Sequence, residues 1–361
     1  MTMTVSTEII ARRAERRRAR ISFWLFALFL AAVSAATASW FVGADLVRDR
    51  IAMIASDAAA GGGSFSTSAI EITGFPFTYE AEVSKVRITG RTPRGVWEWQ
   101  ADRVKASLAP WRTGGVSFDL AGNHKLRFRL GRQPLDLDIT AGAARGTFTA
   151  ARDGAPRIFK LTPEKLVIRE AVTGQRIDAE KASVQLFRFL RAKTAASETS
   201  SGIILDLTGV TLPKRADKLL GRKLQRFQLE AQVLGDTPLP LERPRLARWR
   251  RDGGVLEIKN IDIAWGPAKL SGNGTLSLDD GLQPEASLAA RITGHQKTVD
   301  ALVAAGMVRE NVARGVKLVL DMMARRTNPG SEAVIQLPLS IQSRVIYVGP
   351  ARLARLPQIR W

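Results

Sequence analysis

From Phe77 onward, apolar residues recur at every second position in run after short run, and this alternation narrows the possible folds more than any other feature of the sequence. Tyr79, Ala81 and Val83 alternate with polar neighbours, as do Trp97, Trp99 and Ala101, then Val116, Phe118 and Leu120, then Leu126, Phe128 and Leu130. The pattern continues through Val184 and Leu186, Ile203, Leu205 and Leu207, Phe227 and Leu229, Ile261 and Ile263, and Leu288, Ala290 and Ile292. Side chains of a strand point alternately to its two faces, so period two means one dry face and one wet face. Gly, Pro and Asp-Gly punctuate the runs too often for helices, and the chain reads as antiparallel sheet. The phase slips between Val83 and Val86 and again between Ala101 and Val104, which predicts bulges. The expected fold is mainly β (α+β): a curved or half-closed antiparallel sheet of about 15–18 strands with a C-terminal helical pair, carried on an N-terminal transmembrane helix.

Three stretches leave the pattern. Leu46, Val47, Ile51, Ile54 and Ala58 fall at helical spacing, and Gly61-Gly62-Gly63 ends that helix because three glycines raise the entropy cost of continuing it. Pro238, Pro240 and Pro244 mark 238–251 as a loop with at most one helical turn. Residues 297–326 return to helical period, divided at Gly306. There Val312, Val316, Val319, Leu320 and Met323 form one face, expected to pack on the sheet. Lys317, Asp321 and Arg325 form an i,i+4 ladder on the other.

Ahead of the sheet, Arg12, Arg13, Arg16, Arg17, Arg18 and Arg20 precede 24 uncharged residues, Ile21 to Ala44. As a helix that run is roughly 36 Å long, enough for ~30 Å of hydrocarbon. Trp24 and Trp40 lie near its ends, where indoles favour the headgroup region. The six arginines fix the orientation, with the N-terminus in the cytoplasm. Ala36-Thr37-Ala38 has the small-x-small form of a signal-peptide cleavage site, but the apolar run continues past it, so an uncleaved anchor is the expectation. The expected organisation is a basic tail (1–20), a membrane anchor (21–44), a helical extension and Gly linker (45–63), and an exported β-rich domain (64–361) with a helical insertion at 297–326. The location is then a bacterial inner membrane, single-pass, with the C-terminal domain in the periplasm. Of the net charge of +20, six Arg against Glu8 and Glu15 leave +4 in the tail. The exported part keeps 48 basic and 32 acidic residues, or +16, which favours anionic lipid headgroups over nucleic acid in that compartment.

The chain has no Cys and two His, His124 and His295. Disulfides, thiolate catalysis and Cys-based zinc or iron–sulfur sites are excluded. No GxxxxGK[ST], HExxH or GxSxG occurs. Gly272-Asn273-Gly274 lacks the third glycine of a dinucleotide loop and reads as a hairpin turn. Asp136 and Asp138 share the solvent face of a strand, His124 falls in a turn beside Asn123, and His295 precedes a helix. No catalytic residue, cofactor or metal is expected.

Several phrases together resemble a bacterial family, domain of unknown function 2125: Gly74-Phe75-Pro76-Phe77, Trp249-Arg250-Arg251-Asp252-Gly253-Gly254, Trp265-Gly266-Pro267-Ala268, Gly281-Leu282-Gln283-Pro284-Glu285 and Val348-Gly349-Pro350. The resemblance covers roughly residues 45–361 and implies no activity. The layout is also similar, more loosely, to AsmA-like envelope proteins, whose bent sheet is thought to hold acyl chains; fold alone does not license function. An amphipathic sheet this large has an apolar face that something must cover, and one helical pair is too small to cover it. The expectation is a non-enzymatic protein that binds or conducts phospholipid or another anionic lipid along an apolar groove. By alternation the groove is lined by Trp97, Trp99, Phe118, Phe128, Leu205, Leu207, Ile258 and Ile263. The alternative is a scaffold that binds other envelope proteins, its sheet closed into a sandwich.

Overall fold

The computed structural model describes residues 4–92, 95–109, 115–130, 133–150, 156–189, 194–218, 220–239, 241–325, 332–349, 351–359 and 361. One helix, α1 (Thr4–Ala60), precedes everything else and stops at the glycine triplet. The strands follow: β1 (Ser64–Ser66), β2 (Ala69–Thr73), β3 (Tyr79–Thr92), β4 (Gly95–Leu108), β5 (Gly115–Asp119), β6 (Gly122–Leu130), β7 (Gln133–Ala141), β8 (Ala143–Thr149), β9 (Arg157–Glu170), β10 (Arg176–Arg188), β11 (Thr199–Thr211) and β12 (Lys223–Leu234). After α2 (Arg243–Arg251) come β13 (Val255–Trp265), β14 (Ala268–Leu278) and β15 (Pro284–Thr293). Helices α3 (His295–Ala304) and α4 (Glu310–Met323) separate these from β16 (Ile335–Gln342), β17 (Val345–Val348) and β18 (Ala351–Arg355).

Every ladder is antiparallel. β3 carries β1 and β2 on one side and β4 on the other. β4 pairs with β6 over 95–101 and with β5 over 105–107; β6 pairs with β7, β5 with β8, and both β7 and β8 with β9. From β9 to β18 each strand pairs with the next. No ladder among the described residues joins β18 back to β1, β2 or β3. The antiparallel sheet, the N-terminal apolar helix and the C-terminal helices are the expected elements.

The phase slips lie at one level across the sheet. The apolar positions step by three instead of two from Val83 to Val86 on β3 and from Ala101 to Val104 on β4, which stand opposite each other. The same step occurs from Ala141 to Ala144, where Gly142 joins β7 to β8, and from Pro163 to Leu166 on β9. It recurs from Ala179 to Ala182 on β10, Leu207 to Val210 on β11 and Leu224 to Phe227 on β12. Lys85 (φ 49°), Lys165 (φ 51°) and Gly209 (φ 64°) occupy the step in the left-handed region, which reverses the pleat locally and keeps the same face apolar. The residues flanking this crease, among them Val83, Val86, Ala101, Ala141, Ala144, Ala179, Ala182 and Val210, are buried. Burial of small side chains along one line fits a bend of the sheet toward its apolar face.

Several local expectations are corrected. Gly272 and Gly274 lie in the middle of β14, not in a turn; a Cβ at Gly272 would stand 2.6 Å from the Ala289 carbonyl oxygen, and one at Gly274 2.1 Å from that of Ser287. They are glycine because neighbouring backbone comes too close for any side chain. His124 lies within β6 and is buried. His295 opens α3, is buried, and has Nε2 2.8 Å from Asp321 Oδ1. Residues 243–251 form a full helix, with proline in its first turn where no intrahelical N–H is needed; Leu246 and Trp249 of this helix are buried with Leu278 and Leu282. Pro240 and Arg326 lie outside the described residues. The Lys317–Asp321–Arg325 ladder is replaced by bonds between helices, Lys317 to Asp300 and Asp321 to His295 and Gln296. Gly306, with φ 72°, does separate α3 from α4. The apolar stripe of α4 faces away from the protein: Val312, Val316, Val319 and Met323 are exposed, and Ala313 is the buried residue of that helix.

Candidate functional site: an apolar trough along the crease

Residues directly opposite across a ladder share a face, so the registers trace the apolar side strand by strand. Trp97 stands between Gly90 and Phe128, and Trp99 between Ile88 and Leu126. Phe118 stands between Ala106 and Gly146, and Gly146 faces Leu161. Leu161 leads to Val184, Leu205, Leu229, Ile261, Gly272, Ala290 and Leu337. Leu207 stands between Ala182 and Phe227, Ile263 between Phe227 and Leu270, and Ile258 between Ala231 and Gly274. All eight alternation-chosen residues therefore lie on one face, and all eight are half-buried.

A bend at the crease toward this face, which the burial of small side chains there supports, makes it a trough with two walls. One wall holds Tyr79, Ala81 and Val83 on β3 and continues through Phe118, Leu205, Leu207, Ile258 and Ile263. The other holds Val86 and Ile88 on β3 and continues through Trp97, Trp99 and Phe128. Each wall at β3 is about five residues, or ~17 Å, deep, and eight strand positions from β3 to β12 make the crease about 35 Å long. The second wall shortens along the way: three apolar positions on β4, two on β9 (Leu166, Ile168), one on β11 (Val210). The apolar surface beyond the crease is therefore widest at the β3–β4 end and narrows toward β12.

Aromatic rings line the β3–β9 end, and glycine makes room for them. Trp97 covers Gly90, where an added Cβ would meet the indole at 2.5 Å. Phe118 covers Gly146 at 2.2 Å and stacks on Phe159, ring centroids 5.3 Å apart. Trp99 stacks on His124, centroids 5.8 Å apart and planes within 8°. His124 Nε2 lies 2.6 Å from the Leu120 carbonyl oxygen and its buried Nδ1 has no hydrogen-bond partner. The histidine serves here as part of the aromatic lining, in phase with Leu126 and Phe128 on a strand that extends through its expected turn.

The opposite face is ionic. Glu82 accepts from Lys105 (3.0 Å) and Arg103 (3.4 Å), Glu98 is flanked by Arg87 and Arg127, and Asp262 pairs with Arg226 at 2.8 Å. The Lys105 hydrogen bond, with the Lys105 and Arg103 charges, holds the Glu82 carboxyl below the usual range against a smaller opposing effect of burial. Asp136 belongs to this face and pairs with Arg129 at 3.6 Å. A depression of about 610 Å³ on this side is bordered by Glu82, Lys105, Asp119, Arg145 and Lys160. Among the described residues no group of three or more His, Asp or Glu is placed to hold a metal.

Helix α1 closes one end of the trough. Ile51 packs against Val83, Val86 and Ala101 on the crease. Eleven residues earlier, Trp40 is buried, stacks on Tyr79 (centroids 5.8 Å) and donates from Nε1 to the Thr78 carbonyl oxygen at 2.9 Å. Before Trp40, the helix residues Trp24, Phe26, Leu28, Phe29 and Leu30 are exposed. The helix is long and apolar enough to cross a membrane over part of 28–60. The side chains of Arg12, Arg13, Arg16, Arg17, Arg18 and Arg20 lie outside the described residues, although the α1 backbone runs through them.

The fold is an open, creased, antiparallel sheet with one apolar face, built onto an N-terminal helix long and apolar enough to cross a membrane. Residues 40–357 match the family described as an uncharacterized protein conserved in bacteria (DUF2125), and the chain belongs to that family. No curated protein and no solved structure matches the chain.

Proposed function

We propose that this chain is a non-enzymatic, lipid-binding protein of the bacterial envelope, anchored in the inner membrane by α1 with its sheet in the periplasm, and that acyl chains lie in the trough. The observation that carries the reading is the continuous, half-exposed apolar face. An apolar face that protein does not cover needs another apolar material against it. Large fully buried side chains are nearly absent: Ile335 is the one residue of that kind among those described. A compact chain of 39.4 kDa would expose about 14,000 Å², whereas this one exposes 24017 Å². The projecting part of α1 and the uncovered faces of a one-layer sheet account for the difference. A scaffold with a closed, filled β core, the alternative, would bury Leu205, Leu229 and Ile261, which are instead half-exposed. The AsmA-like likeness of layout adds to the reading, and the excess positive charge suits anionic headgroups or acidic envelope partners.

The test is direct. Purify the full chain in mild detergent, extract it, and analyse the extract by lipid mass spectrometry. Stoichiometric phospholipid is expected; a well-folded, lipid-free protein would remove the proposal and leave the scaffold reading.

A further inference from the structure

The turn between β2 and β3, residues 74–78, carries two large aromatic residues that the trough does not use. Phe75 is 51% exposed and Phe77 68% exposed. Rings this exposed leave apolar surface in water, and transfer of such a side chain out of water is favourable by ~2 kcal/mol when complete. The turn is held rigidly: the amide N–H groups of Phe77 and Thr78 donate to the Gly74 carbonyl oxygen at 3.1 and 2.8 Å. It is also held in one place, because Trp40 Nε1 donates to the Thr78 carbonyl oxygen and the Trp40 indole meets the Phe75 ring edge to face at 5.5 Å. Gly43 of α1 lies against Tyr79, where a Cβ would overlap the phenol. Trp40 stands near the C-terminal end of the uncharged run 21–44, with Phe41 and Val42 exposed beside it and Asp45 and Arg48 just beyond. The turn is thus fixed at the height where the helix passes from apolar to charged.

We infer that the Gly74–Thr78 turn is a membrane wedge: Phe75 and Phe77 insert into the interfacial region of the bilayer that α1 spans, beside Trp40. The inference rests on the reading of α1 as a membrane anchor. Aromatic side chains favour the headgroup boundary, and an apolar face laid there sinks ~5–10 Å. Two attachment points then replace one. The helix enters the bilayer and the wedge rests in it, so the Tyr79–Leu108 edge of the first wall stands at the lipid surface. From Trp40 to Ala60 the helix runs beside β3: Trp40 meets Tyr79, Ile51 packs with Val83 and Val86, and Gly63 just beyond the helix approaches Thr89. The first strands therefore stand along the anchor axis, and the opposite rim lies away from the membrane.

The absence of cysteine makes the test clean. Single cysteines Phe77→Cys, Phe75→Cys, Leu28→Cys and Val172→Cys are introduced into the full chain, labelled with an environment-sensitive fluorophore and reconstituted in phospholipid nanodiscs with or without headgroup-region spin-labelled lipid. Leu28 reports the anchor; Val172, 72% exposed in the β9–β10 turn, reports the opposite rim. The expected result is a blue shift and several-fold stronger quenching at 77 and 75 than at 172. Circular dichroism identifies any variant that fails to fold, and the two wedge positions serve as replicates for each other. Quenching at 28 with none at 75 and 77, or equal quenching at 172, overturns the wedge while the anchor stands. No quenching at 28, 75 or 77 overturns the anchor reading and the wedge with it.

Discussion

The two faces of this sheet are made by the same strands and solved in opposite ways. On the ionic face, cross-strand pairs such as Glu82–Lys105 and Arg226–Asp262 satisfy one another in water. On the apolar face the cross-strand neighbours are equally well matched, Val184 to Leu205 to Leu229 to Ile261, but most stop at half burial. That face buries itself along the crease, where the residues are mainly Ala and Val, and again at Ala231, Ala290, Ile335 and Leu337. The difference teaches that β-structure can be complete in hydrogen bonds and still incomplete in hydrophobic burial.

Breaking the apolar side should have the largest effect. Leu205→Asp puts a charge in the middle of the long wall, and the expected outcome is loss of co-purifying lipid with an unchanged far-ultraviolet circular dichroism spectrum. Asp206→Ala, next along the same strand but on the ionic face, should leave the lipid in place; cooperative unfolding of the Leu205 variant would instead mark an ordinary core. A smaller effect is expected at Gly146→Ala. The new methyl overlaps the Phe118 ring and stands 2.7 Å from the Lys160 carbonyl oxygen, so overpacking should cost about 1–3 kcal/mol, read as a lower midpoint in urea. Smallest is the ionic face. The Glu82 carboxyl has a lowered folded-state pKa, so its contribution is present above the ordinary carboxylate value and is lost as pH falls through the folded value. Glu82→Gln should leave neutral-pH stability almost unchanged and slightly flatten the acid limb of a pH–stability curve. If Glu82→Gln proved more damaging than Gly146→Ala, the contrast between the faces would fail.

Much of this contrast was legible in the sequence because a strand has only two sides. Alternation assigned all eight trough residues to a common face, and the slips at Val83/Val86 and Ala101/Val104 marked two points of the crease. What alternation lacks is register: nothing in the local pattern says that slips far apart in sequence align into one fold line. The glycines of β14 misled for a related reason, since a glycine demanded by backbone approach looks like one demanded by a turn. The helix at 243–251 was hidden by a proline that its first turn tolerates. The stripe on α4 was legible as a stripe, but its outward direction was set by polar contacts to α3 that connect residues 17 to 26 positions apart. Phe75 and Phe77 could have been noticed as large apolar residues in a turn, a place that ordinarily disfavours them.

The crease also decides how the trough can move. On β3, β4 and β9 to β12 its walls are two halves of the same strands, while β5 and β8 build one wall and β6 and β7 the other between them. Two separate sheets could part like a hinge to admit a bulky cargo. Here, widening would require bending several strands at once at their left-handed residues, Lys85 and Lys165 among them. The width between the walls is thus built in, and under the proposed lipid reading a guest would be sorted by girth before chemistry.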